Sequence, residues 1–250
     1  MRRLWSAFEA RVSNRLARHF CAAPLRLPTN GAMVSFTFDD IPDSAADAGA
    51  AMLEEFGARG TFYVAGSLID RPSEHWHGVS RDRLVELHRG GHEIACHTFS
   101  HKRAIELDAA AMKAEIERNG RYFAALDPSI RLTNFAYPYG LASLPRKTQL
   151  AGAFRSSRGI LPGVNSDVID LQFMRANPLI DLHMDGDGID RAFDEAVAAR
   201  GWLIFYGHDV TEKPSPYGCT PNLLRHALEA AARRNVLVLT VADALRRAGA

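Results

Sequence analysis

Ser35-Phe36-Thr37-Phe38-Asp39-Asp40 and His97-Thr98-Phe99-Ser100-His101 place two adjacent carboxylates and two imidazoles at the ends of apolar runs. Imidazole nitrogen and carboxylate oxygen are ligands for zinc and similar divalent ions, and a catalytic centre uses three protein ligands while one position stays open. Two histidines and one aspartate fill that quota, and the second aspartate is left free to take a proton. Each half has an ordinary explanation by itself. The chain has ten histidines, any of which can serve as a hydrogen-bonding group alone, and a carboxylate after a strand can cap the next helix. Both explanations would have to hold independently, so the joint pattern favours a metal hydrolase.

These residues, with two further segments, resemble the NodB-homology polysaccharide deacetylases, carbohydrate esterase family 4. Thr37-Phe38-Asp39-Asp40 is similar to the family's first motif and His97-Thr98-Phe99-Ser100-His101 to its His-(Ser/Thr)-x-x-His motif. Phe135-Ala136-Tyr137-Pro138-Tyr139-Gly140 resembles the third motif, and Leu203-Ile204-Phe205-Tyr206-Gly207-His208-Asp209 the last. The matches keep the family's order from about residue 31 onward. The resemblance implies an α/β fold, a distorted seven-stranded (β/α) barrel of TIM-like form, and metal-dependent removal of an acetyl group from an N-acetylated sugar. It implies that Asp40, His97 and His101 hold one divalent ion, zinc or another divalent transition metal. Asp39 becomes the general base, His208 the general acid, and the backbone N–H of Tyr139 an oxyanion donor.

Two departures qualify the transfer. The family's third motif commonly begins with an arginine that orients the base, and Ala136 stands there. The aspartate-rich motif that pairs with this arginine has no clear counterpart, although Asp181-Leu182-His183-Met184-Asp185 lies in the expected region. Loss of both is self-consistent, because either alone would leave an unpaired charge in a partly buried site. The base is then expected to rely on other hydrogen bonds, through His183 or Asp185. Candidate sugar contacts are Tyr137, Pro138, Tyr139, His183 and Trp76. The Pro- and Gly-containing stretch Pro214–Pro221 is expected to close over the same rim, and Asp209 either orients His208 or serves its own loop.

The elements that must position these groups alternate. Strands are predicted at 33–38, 60–65, 92–96, 132–137, 202–206 and 236–240, with less regular candidates at 153–156 and 173–178. Helices are predicted at 44–59 with Ser44 as cap, 81–89, 108–125, 189–199 and 221–234. That order favours a parallel sheet closed or nearly closed into a barrel. Asp39, Asp40, His97, Pro138 and His208 each follow the apolar part of a predicted strand, where βα loops build the active face of such barrels.

Composition fits one enzyme domain over residues 31–250, preceded by a distinct segment at 1–30. The chain has 250 residues, 47% of them hydrophobic, enough for a substantial core. A net charge of +1 argues against nucleic acid as a partner, which needs a concentrated basic face, and suits an N-acetylated saccharide. Cys21, Cys96 and Cys219 cannot all pair and show no C-x-x-C spacing, which fits a reducing compartment better than a disulfide framework.

Within residues 1–20, Arg2, Arg3, Arg11, Arg15 and Arg18 against Glu9 give +4, so the remainder, with 25 basic and 28 acidic residues, carries −3. Leu4, Phe8, Val12, Leu16 and Phe20 recur every four residues, with Trp5 beside them, the mark of an amphipathic helix. Its arginines leave no apolar core of signal-peptide or membrane-spanning length. The expected location is therefore the cytoplasm, with or without peripheral contact to the inner face of the membrane. Such a stripe commonly docks on the protein's own barrel or a second subunit; its other use is to lie on an anionic membrane surface.

Three functional readings follow: a deacetylase acting on an N-acetylated sugar of a polysaccharide or its cytoplasmic precursor, a hydrolase of another C–N bond such as a cyclic amide or formamide, and a non-catalytic barrel that binds a sugar or partner.

Overall fold

Met33–Asp39 is buried along its whole length, as expected of a parallel strand covered on both faces. Its side chains alternate. Val34, Phe36 and Phe38 join the outer core with Leu53, Leu203, Phe205, Leu224 and Leu228, while Met33 packs with Trp202 and Ile204 in a second cluster. The computed structural model describes residues 12–28 and 30–250.

In chain order, a helix α1 at 12–19 precedes β1 (Pro24–Arg26) and β2 (Met33–Asp39). A π-helical turn, Ala45–Gly49, then leads into α2 (Ala50–Glu55). Next come β3 (Thr61–Val64), α3 (Arg81–Arg89), β4 (Glu93–Cys96), α4 (Ala109–Leu126), β5 (Asn134–Ala136), α5 (Leu144–Ala151) and β6 (Ser156–Arg158). The remainder comprises β7 (Val168–Asp170), β8 (Asn177–Pro178), α6 (Gly186–Ala199), β9 (Trp202–Gly207), α7 (Pro221–Arg233), β10 (Leu237–Val238) and α8 (Val241–Ala248).

The main sheet runs β6-β5-β4-β3-β2-β9-β8, with every pair parallel and β10 paired to the lower part of β2. Its two edges approach each other. Leu171 O accepts from Ser157 N at 2.7 Å, and Met174 N donates to Ser157 O at 2.9 Å. The chain then continues directly into β8, so pairing is carried round a distorted seven-stranded barrel, as the resemblance implies. At the strands' N-terminal end, Val241, Ala244, Leu245 and Ala248 of α8 pack with Leu27, Met33, Ile169 and Trp202. The opposite, C-terminal end carries the polar site.

Several elements differ from the sequence reading. Helix 44–59 is shorter and starts with a π turn, and Ser44 makes no side-chain cap; its hydroxyl instead accepts from Val210 N. The predicted strand 153–156 falls at Ser156–Arg158, and 173–178 shrinks to Asn177–Pro178. Helices α5 and α8 and the antiparallel β1–β7 pair were not expected. The N-terminal stripe also differs. Its positions before residue 12 lie outside the described residues, and Val12, Leu16 and Phe20 are 40%, 51% and 51% exposed rather than docked on the barrel.

Candidate metal centre and acid–base site

β2 ends at Asp39, and Asp40 follows with φ +59°. β4 ends at Cys96, and the 97–101 loop turns through Thr98 and His101 at φ +61° and +52°. Tyr139, in the turn after β5, has φ +59°. Left-handed backbone is uncommon for these residue types and costs on the order of 1–3 kcal/mol each. Four such residues at one rim mean that the strand ends are bent to aim side chains rather than relaxed.

The bends bring ligand atoms of Asp40, His97 and His101 within 4.8 Å of one another. Oδ1 of Asp40 lies 3.3 Å from Nε2 of His101 and 3.8 Å from Nε2 of His97, yet it is buried without a hydrogen-bond partner. His97 Nδ1 donates to the Ala136 carbonyl at 2.9 Å, which fixes the tautomer and leaves Nε2 as the lone-pair nitrogen. Burial lowers the His97 imidazole to about 4. Burial and the neighbouring His97 lower His101 to about 3. Both rings are therefore neutral near pH 7, as metal ligands must be. Burial, then the adjacent Asp39, raises Asp40 to about 8. An orphaned carboxylate oxygen facing two neutral imidazole nitrogens is a donor set that fits a divalent cation.

α4 holds this loop from behind. Glu115 accepts from the backbone N–H of Phe99 (3.0 Å) and Ser100 (2.7 Å) and from the Ser100 hydroxyl (3.1 Å). One turn on, Asn119 donates to the Val64 carbonyl and accepts from Gly66 N, both at 2.9 Å. The sequence reading of helix 108–125 did not single out Glu115 and Asn119, which share its buried face with Met112 and Phe123.

Asp39 is not oriented by His183 or Asp185, contrary to expectation. Asp185 caps α6 by accepting from Gly188 N at 2.8 Å. Exposed His183 lines a cleft of about 540 Å³ with Asp181, Asp185, Arg191 and Glu195, a lining that includes neither Asp39 nor any of the three candidate ligands. The partner of Asp39 is Arg158, whose fully buried guanidinium donates to Oδ1 of Asp39. Ala136 and Arg158 are register partners on β5 and β6. The guanidinium therefore comes from the strand next to the position where an arginine was expected. Its central carbon lies 4.9 Å from the Tyr63 ring centroid and 5.4 Å from that of Tyr206, so aromatic faces flank it. Burial pushes the Asp39 carboxyl up, but Arg158, His97 and His208 together outweigh it and hold it below the usual carboxylate range.

His208 follows β9. Its Nδ1 donates to the Tyr217 carbonyl at 3.2 Å, leaving Nε2 free in the neutral ring. Burial lowers its pKa against the pull of Asp39. Asp209 serves the following loop, accepting from Ser215 N (2.8 Å) and Ser215 Oγ (2.6 Å). That loop brings Tyr217 to 5.7 Å from the His208 ring, and Trp76 stands at 5.4 Å from it.

Of the other expected sugar contacts, Tyr139 is 53% exposed and its ring lies 4.7 Å from that of His101. Tyr137 belongs to the core: it is buried beside Phe135 and Phe173, and its hydroxyl donates to Gln172 O at 3.1 Å. Pro138 is buried as well. Neither offers a surface to a sugar.

Residues 26–152 match the sequence model of a family described as polysaccharide deacetylase. The chain is 26% identical over 88 residues to a bifunctional xylanase/deacetylase of Pseudobutyrivibrio xylanivorans, a stretch covering 35% of this chain and 14% of that protein. The chain thus spans a small part of that relative's length. Its fold resembles the chitin deacetylase of the fungal pathogen Colletotrichum lindemuthianum, with TM-score 0.65, 17% identity and coverage of 88% and 89% of the two chains. It also resembles a family 4 acetyl xylan esterase of Clostridium thermocellum solved with a cobalt ion, with TM-score 0.59, 19% identity and coverage of 86% and 90%.

Proposed function

Because the chain belongs to the polysaccharide deacetylase family, we propose that it is a metal-dependent hydrolase that removes the acetyl group from an N-acetylated sugar of a polysaccharide or its precursor. The observation that carries the reading is the convergence of the Asp40–His97–His101 cluster with the buried Asp39–Arg158 pair at one barrel rim. Asp40, His97 and His101 would hold one divalent ion, zinc or another transition metal. When bound, such an ion supplies Lewis acidity to an acetyl carbonyl and a lowered pKa to water.

The chain's own residues divide the proton work. Asp39 accepts a proton from the attacking water, and Arg158 keeps it ionised and fixed in place for that purpose. His208, held through Nδ1 by the Tyr217 carbonyl, acts once a proton has been taken up at its free Nε2: the imidazolium gives that proton to the departing amine, without which an amide nitrogen leaves poorly, and the ring returns to its neutral form. The backbone N–H of Tyr139 steadies the oxyanion. Trp76 and Tyr217, whose ring centroids are 6.5 Å apart, supply flat aromatic surface suited to the apolar face of a pyranose. The likeness to a chitin deacetylase and to an acetyl xylan esterase supports an acetylated saccharide as substrate.

The test is acetate release by metal-loaded protein from N-acetylated chito-oligosaccharides, alongside an activated aryl acetate ester. Acetate from both is expected. His208→Ala should lose about 10²–10⁴ on the amide and much less on the ester, whose leaving group needs little protonation. Equal proportional losses with metal retained would reject His208 as the acid. Ring-opened or formate products from a cyclic amide and formamide panel, with no acetate from any N-acetyl sugar, would establish the other C–N hydrolase reading. Bound metal without turnover on the whole panel would leave a binding barrel.

A further inference from the structure

α1 is tied to the barrel by small and polar side chains. Ala17 is fully buried. Asn14 Oδ1 accepts from Ala142 N at 3.1 Å, and Ser13 Oγ accepts from Leu144 N at 3.0 Å. Buried Lys147, ion-paired with Asp170, donates at 2.5 Å to the carbonyls of both Ala17 and Phe20. Those carbonyls close the C-terminal end of the helix, where free acceptors and the backbone dipole favour a cation.

Anchorage through these groups leaves the apolar series unused. Val12, Leu16 and Phe20 are 40–51% exposed, and Arg15, Arg18 and His19 are exposed with them. The sequence extends the same four-residue series through Phe8 and Leu4, and adds Arg2, Arg3 and Arg11 against a single Glu9. A segment of charge +4 is thus joined to a remainder of −3.

We propose that the outward face of α1 rests on an anionic lipid bilayer, with Leu16 and its apolar neighbours entering the interface and Arg15 and Arg18 meeting headgroup phosphates. Charge selects lipid over a second copy. Two apposed α1 faces would set one group of arginines against another, whereas anionic headgroups neutralise them. No described helix is long and apolar enough to cross a membrane, so the contact is with one leaflet. Ser13 and Asn14 sit against residues 142–144, so the N-terminal end of α1 is joined to the segment that follows the Tyr139 turn. The inference rests on α1 alone and stands whether or not the hydrolase reading does.

Co-sedimentation of the full chain with phosphatidylglycerol/phosphatidylcholine vesicles and with phosphatidylcholine vesicles tests it. Binding is expected with the anionic vesicles only, and it should weaken as salt rises. Leu16→Glu with Phe20→Glu, and Arg15→Glu with Arg18→Glu, should each reduce it by about tenfold or more, without change in thermal melting. Leu16→Ser with Phe20→Ser replaces the first pair if that pair fails to fold. Absence of binding to anionic vesicles overturns the proposal, and so does binding that survives these substitutions in full. A dimer seen by light scattering and dissolved by the Leu16 and Phe20 substitutions would make a second copy the occupant instead.

Discussion

Asp39→Asn is expected to lower turnover by about 10²–10⁴, the usual contribution of a general base, while bound metal per chain stays unchanged. Asp40→Asn is expected to lose metal as well as turnover. The distinction follows from what each carboxylate faces: Asp39 is engaged by Arg158, whereas Oδ1 of Asp40 has no protein hydrogen bond and faces two imidazoles. Metal content after dialysis, measured with turnover on the same samples, checks this. Equal metal loss in both variants would mean that the two aspartates share the ion.

Arg158→Met should destabilise the chelator-treated protein by about 3–5 kcal/mol, because it strands a buried carboxylate without its counter-ion. Adding Asp39→Asn to Arg158→Met should recover a large part of that loss, since the double variant no longer buries an unpaired charge. Urea unfolding of the two single variants and the double variant gives the comparison. Arg158→Met behaving like a surface substitution, within about 0.5 kcal/mol of the parent, would show that the pair does not form. Turnover should fall as well, because Asp39 loses the group that positions it.

The candidate site was legible where chemistry and strand ends coincide. Asp39, Asp40, His97, His101 and His208 stand out because polar residues close apolar runs such as Met33–Phe38 and Trp202–Gly207, and those runs form the parallel strands that aim them. Arg158 was not legible. It lies in the three-residue strand Ser156–Arg158, where no periodicity marks a buried position, and its link to Ala136 exists only through the register of β5 with β6. Tyr137 misled because a motif position does not reveal which way a side chain points. Here the residue lies in the core with Phe135 and Phe154. α8 escaped because eight residues following a two-residue strand give too little pattern. Over the described residues of α1, the face that docks is set by Ser13, Asn14 and Ala17 and by a lysine 130 positions after Ala17, which no local pattern encodes.

Asp40, His97 and His101 are expected to form a single metal centre at the C-terminal end of the barrel, and anomalous diffraction from crystals grown with zinc or cobalt locates the ion. One strong peak is expected, coordinated by a carboxylate oxygen of Asp40 and by Nε2 of both His97 and His101, with zinc–nitrogen distances of about 2.0–2.1 Å. A peak elsewhere, such as among Asp181, His183 and Asp185, with none at this triad at saturating metal, would contradict it.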